Sequence, residues 1–116
     1  MVENHVELDA TFLALADPTR RAMLASLAGG ERSVGELAAP HAMSLAGASK
    51  HVRMLERAGL VERRKLGRSQ LCRLRAGPLK EADRWLKHYE RFWLARLDAL
   101  EALIEAENAA RDRGED

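Results

Sequence analysis

From Leu79 onward, apolar residues return at intervals of three or four: Ala82, Leu86, Tyr89, Trp93, Leu97, Leu100 and Ile104. That interval keeps side chains on one face of an α-helix. A second row, Trp85, Phe92, Ala99 and Leu103, widens the stripe. The spacing predicts one helix over 79–108, ~45 Å long at 1.5 Å per residue. The chain has 116 residues in all, near the mode for a single domain and too short for two ordinary cores. The part before the helix is therefore too small to cover both rows, and pairing with the same helix of a second copy is the economical solution. Phe12, Leu86, Tyr89, Trp93, Leu97, Leu100 and Ile104 are the residues expected at that homodimer interface.

The preceding segment is divided by strong punctuation. Leu8, Phe12 and Leu15 predict an amphipathic helix over 6–16. Asp17-Pro18 restarts the chain, Asp as N-cap and Pro at the first helical position. Ala22, Met23, Leu24 and Leu27 line the second helix, which Gly29-Gly30 ends. Ser33 and Glu36 have capping-box spacing, so a short third helix is expected to reach Ala39 before Pro40. Ser44 caps a fourth helix that ends at Gly59, with Leu45, Ala48, Val52 and Leu55 as its buried stripe. After Gly59 the period changes. Segments 60–66 and 69–74 flank Gly67-Arg68, the pattern of a hairpin, although Arg63, Arg64 and Lys65 interrupt the alternation of the first strand. The expected whole is one domain, 1–116, with a core over 6–77, a terminal helix over 78–110 and a frayed acidic tail over 111–116.

The net charge of +1 conceals an uneven distribution. Residues 1–17 carry four acids and no Lys or Arg; residues 50–80 carry ten bases against two acids; residues 98–116 carry seven acids against two bases. A basic middle between acidic ends is the footprint of phosphate binding or of an ordinary solvated face. The elements that carry the charge decide between them. A short helix, a tight turn and a capped helix with an outward basic face follow helix-turn-helix logic. Ser44, Gly47 and Ser49 are small enough to let the backbone approach DNA, while Lys50, His51 and Arg53 supply charge and hydrogen-bonding groups. The hairpin then reads as a wing carrying Arg63, Arg64, Lys65 and Arg68 to phosphates or a minor groove. Arg20 and Arg21, beside the start of the second helix, are expected to hold a phosphate near its positive dipole end. The fold class that results is mainly α with a β-hairpin wing, a winged helix-turn-helix with a long C-terminal helix for dimerisation.

Ala16-Asp17-Pro18-Thr19-Arg20-Arg21, Ser49-Lys50-His51, Leu55-Glu56-Arg57-Ala58-Gly59-Leu60-Val61 and Gly67-Arg68 together resemble the ArsR-type winged-helix transcriptional repressors, over residues 8–100. The resemblance implies a homodimer on a palindromic operator, often in its own promoter, with 44–58 as the DNA-reading helix and Ser44, Ser49, Lys50 and His51 at contacting positions. Many members carry Gln at the position of Leu45, and Ala46 follows it here. That leaves fewer side chains to read bases directly, and shifts specificity toward the wing and DNA shape.

Thiolate sensing in the family needs at least two nearby cysteines, and this chain has only Cys72. Zinc sensing needs paired Asp and His positions along the last helix, where His88 stands without the others. The chain therefore resembles the metal-independent branch, with no metal site, no cofactor and an effector of unknown identity. Trp85, Tyr89, Phe92 and Trp93 either pack a core or dimer or line a small-molecule pocket. No nucleophile–base pair, carboxylate pair in a pocket context or phosphate loop suggests an enzyme. An interaction module docking a protein on the long helix, or a metal sensor with unusual ligands, are the alternatives. Met1–His5 lacks the basic start and apolar stretch of a signal peptide, and no run is long enough to span a membrane, so the expected compartment is the cytoplasm.

Overall fold

The computed structural model describes residues 2–114, with side chains from Glu7 onward. The chain forms two compact units, 1–82 and 83–116. In the first unit, α1 (Val2–Leu15), α2 (Pro18–Leu27), β1 (Arg32–Ser33), α3 (Val34–Ala38), α4 (Leu45–Arg57), β2 (Val61–Leu66) and β3 (Ser69–Leu74) follow in order. Next comes α5 (Gly77–Leu86), then a single 3₁₀ turn (Lys87–Tyr89) and α6 (Glu90–Asp112). The winged helix-turn-helix architecture expected from the sequence is the one observed.

The starts of α2, α3 and α4 are made by the residues that the sequence marks for them. The Asp17 carboxylate accepts from the backbone N–H of Thr19 at 2.8 Å and of Arg20 at 3.1 Å. At α3, Ser33 Oγ accepts from Glu36 N–H while Glu36 Oε1 accepts from Ser33 N–H, a complete capping box. Ser44 Oγ accepts from Gly47 N–H at 3.1 Å to start α4. That helix ends in a Schellman motif: Leu60 N–H reaches Leu55 O, Gly59 N–H reaches Glu56 O, and Gly59 takes φ +74°. A side chain at Gly59 would be strained by that φ, and its Cβ would stand 3.5 Å from Pro78.

Met23, Leu24, Leu27, Leu37, Val52, Leu55, Leu60 and Cys72 form the centre of the core, with Leu74 and Leu79 packed on its edge. Helices α1 to α4 and one face of the sheet contribute to it. Ala48, Val52 and Leu55 are completely buried, as the stripe on α4 requires, but Leu45 is 61% exposed. The helical period places Leu45 on the stripe; the first turn of α4 extends past the body that the stripe packs against.

The sheet has three antiparallel strands in the order β1–β3–β2. In the hairpin, Val61 faces Leu74, Arg63 faces Cys72 and Leu66 faces Ser69. Gly67, at φ +62°, is the first of two loop residues, as in a type II′ turn. The third strand, β1, was not expected. It is two residues long, pairing Arg32 with Cys72 and Ser33 with Leu71, too short for any alternation to mark it.

The long C-terminal helix is present but not continuous as expected, since the 3₁₀ turn at Lys87–Tyr89 divides it. The α6 segment has 23 residues, ~35 Å at 1.5 Å per residue. It continues to Asp112, beyond the expected boundary at 110, and Arg111 pairs with Glu107 four residues back at 3.1 Å. Glu115 and Asp116, the end of the expected tail, lie outside the described residues. No helix of the described residues is long and apolar enough to cross a membrane.

Candidate nucleic-acid interface

Ten bases lie between residues 50 and 80; Lys80 is exposed on α5, and the structure separates the other nine into two groups. Four are held by acids. Arg63 Nε donates to Glu56 Oε1 at 2.7 Å and its Nη1 to Gln70 Oε1 at 3.0 Å. Arg64 makes a two-pronged pair with Glu31, at 2.8 and 2.9 Å. Arg73 and Arg75 share Glu62 at 3.2 and 2.7 Å. The hairpin register explains the run that interrupts β2: Arg63 lies opposite Cys72, on the strand face that looks into the body, so it packs against α4 rather than pointing outward. Arg64 takes the other face and reaches back to the segment before β1. Both were expected on DNA; the structure engages both within the protein.

Lys50, Arg53 and Arg57 on α4, and Lys65 and Arg68 at the end of the wing, are exposed and make no hydrogen bond or ion pair with the described residues. On α4 the three bases fall at i, i+3 and i+7, one face of the helix. Arg57 was not among the expected contacts; its spacing of four from Arg53 is the signal that marks it. Opposing carboxylates are occupied elsewhere. The Arg64 guanidinium holds the Glu31 carboxyl below its ordinary range, and the hydrogen bonds from Arg73 and Arg75 do the same for Glu62.

Arg20 and Arg21 have a different place from the one expected. Arg20 Nε donates to Ala14 O at 2.7 Å and Nη2 to Leu13 O at 3.0 Å, while Arg21 Nη1 donates to Leu15 O at 2.7 Å. Two guanidinium groups thus satisfy three terminal carbonyls of α1, at the negative end of its dipole. The remaining arm of Arg20, Nη1, lies 3.3 Å from His51 Nδ1. Since a guanidinium only donates, the ring nitrogen is the acceptor in this contact. His51 is half-buried and ties α4 to α2, rather than standing free at the surface. Ser44 is exposed with its oxygen on the cap, and its hydroxyl proton remains available to a phosphate. Ser49 is half-buried one turn further on. Gly47 is half-buried behind Ser44, and a Cβ there would stand 3.4 Å from Ser44 Oγ.

The second unit exposes a row of large apolar side chains. Leu86, Tyr89, Trp93, Leu97, Leu100 and Ile104 are between 50% and 62% exposed, and Phe92, Leu94 and Leu103 are exposed with them. Phe12, of the first unit, is half-buried. The aromatic residues interact edge to face, Trp85 with Tyr89 at 5.2 Å and Phe92 with Trp93 at 5.9 Å between centroids. Arg96 lies over the Phe92 ring at 4.4 Å. These rings, with Asp83, Leu86, Lys87, Glu90 and Leu94, line an open cleft of about 670 Å³. Among the described residues no group of three or more His, Cys, Asp or Glu side chains is gathered as metal ligands would be. Cys72 is fully buried between β1 and β2, where desolvation pushes its thiol above the ordinary value.

Residues 15–64 match the model of a helix-turn-helix domain. The chain is 36% identical to the HTH-type transcriptional regulator Rv2034 of Mycobacterium tuberculosis, over 85% of this chain and 90% of that one. It is 39% identical to an ArsR family transcriptional regulator of known crystal structure, with a TM-score of 0.70, over 75% of this chain and 90% of that one. The homodimeric winged helix-turn-helix DNA-binding domain of Mb0332 from Mycobacterium bovis, a possible ArsR-family regulator, is 30% identical. That match has a TM-score of 0.56 and covers 95% of this chain and 85% of that one.

Proposed function

The chain belongs to the ArsR family of DNA-binding transcriptional regulators, and from that premise we propose that it is a homodimeric repressor of a palindromic operator, its own promoter among the targets. The observation that carries the reading is the row of unpaired bases, Lys50, Arg53 and Arg57 on α4 with Lys65 and Arg68 on the wing. The helix row enters the major groove and the wing contacts flanking phosphates. Two copies related by a two-fold axis place their α4 helices in successive major grooves, one helical turn apart. The exposed stripe of Leu86, Tyr89, Trp93, Leu97, Leu100 and Ile104 supplies the dimer contact. The homodimeric Mycobacterium bovis relative supports that assembly. An operator that overlaps the promoter makes binding exclude polymerase, and repression follows from that overlap.

A mobility-shift titration against the protein's own upstream region tests the reading, paired with sedimentation at low micromolar concentration. The expected result is a salt-sensitive shift by a dimer, weakened severely in the Lys50→Ala/Arg53→Ala double variant. An unaltered shift in that variant, or a protein that sediments as a monomer, overturns it.

A further inference from the structure

The one residue of the α4 stripe that does not pack is Leu45. It stands three residues before Ala48 and seven before Val52, both fully buried, yet it is itself 61% exposed. Met43, two residues earlier, packs on the edge of the core, and Leu45 belongs to neither the core nor its edge. Isolated exposed leucines are common on proteins, so exposure alone says nothing. The place of this one does. Leu45 is the first residue of α4, and the next two, Ala46 and Gly47, carry a methyl group and a hydrogen. Ser44 Oγ is turned back onto Gly47 N–H. The group that reaches furthest from this end of the helix is therefore an isobutyl side chain, with Lys50 and Arg53 beginning more than a turn later.

Residues at the N-terminal end of a helix in the major groove meet base edges. Of the groups displayed there, the thymine C5-methyl is the one that an aliphatic side chain complements. Against the N4 amine of cytosine or the O6 and N7 of guanine, the same side chain removes water and returns no hydrogen bond, which selects against those bases. We propose that Leu45 is a specificity-determining residue that reads a thymine methyl in each operator half-site. This rests on the reading of α4 as the major-groove helix.

The experiment starts from a duplex that the wild-type protein selects from a random pool. Each thymine of a half-site is then replaced in turn by uracil, which removes only the methyl group, and affinity is measured by fluorescence anisotropy. The expected result is one position per half-site at which the replacement weakens wild-type binding about fourfold, the transfer free energy of one methyl. Leu45→Ala binds the thymine duplex more weakly by at least that factor, no longer distinguishes thymine from uracil at that position, and keeps the wild-type salt slope. Its thermal melt, followed by circular dichroism, is expected to match wild type. Wild-type affinity indifferent to uracil at every thymine overturns the assignment, as does a Leu45→Ala variant that still senses the methyl. Either result leaves selection of a specific duplex standing. Failure to select any duplex overturns the major-groove reading together with this assignment.

Discussion

The division of the wing bases into paired and free groups leads to a quantitative expectation for the salt dependence of DNA binding. Each phosphate neutralised by a protein base contributes about 0.9 to the slope of log affinity against log salt concentration. Lys65 and Arg68 make no ion pair with the described residues, whereas Arg63 is tied to Glu56 and Arg64 to Glu31. In a dimer, replacing both Lys65 and Arg68 with Ala removes up to four phosphate contacts, lowering the slope by about 3.6. With the three bases of α4 included, the wild-type slope has an upper limit of about 9, and the double variant of about 5.4. Replacing Arg63 and Arg64 with Ala removes the same formal charge but no free contact, so the slope is expected to stay at the wild-type value. Fluorescence anisotropy of a labelled operator across a decade of potassium chloride reads all three proteins. An Arg63→Ala/Arg64→Ala variant that loses as much slope as Lys65→Ala/Arg68→Ala would refute the division, because it would show that the ion pairs open on DNA.

Leu55→Ala, in the centre of the core, is expected to destabilise the fold by about 2–5 kcal/mol, and Leu45→Ala by no more than about 0.5 kcal/mol; urea unfolding of each compares them directly. The carboxyls of Asp17, Glu31, Glu36 and Glu62 are all lowered in the folded chain, chiefly by hydrogen bonds from Arg20 N–H, Arg64, Ser33 N–H and Arg73 respectively. Their contribution is thus complete above the ordinary values of 3.8 for Asp and 4.5 for Glu. It is lost as pH falls through the lower folded values. Urea midpoints are expected to hold steady from neutrality to about pH 5 and to decline below; a decline that begins near neutrality would point to a different group. Burial that raises the Cys72 thiol, with Glu56 adding to it and Arg63 opposing, predicts slow alkylation in native buffer and rapid alkylation in denaturant. Prompt modification of the folded protein would contradict the buried position.

Much of the fold is legible along the chain because its signals are local. Asp17, Ser33 and Ser44 cap the helices they precede, and Gly59 and Gly67 take the positive φ that their turns demand. The break at Lys87–Tyr89 is not legible, since the apolar interval runs through it undisturbed. Nor is β1, which exists only because Arg32 and Ser33 meet the outer edge of β3. The clustering of bases along the chain is legible in the sequence, but which of them the fold pairs is not. Lys50, Arg53, Lys65 and Arg68 are open as expected, but Arg20, Arg21, Arg63, Arg64 and His51 have partners six to thirty-three residues away in sequence.

By itself the sequence determined the order of elements, the apolar faces they would bury and the third of the chain in which positive charge gathers. All of these follow from spacings within one or two helical turns. Only the tertiary structure decided which of those charges is free, and that Leu45 lies beyond the edge of the core its period points to. A base pairs with whatever acid the fold brings within about 3 Å, and a stripe is buried only as far as there is a body beneath it. Both are properties of the assembled chain.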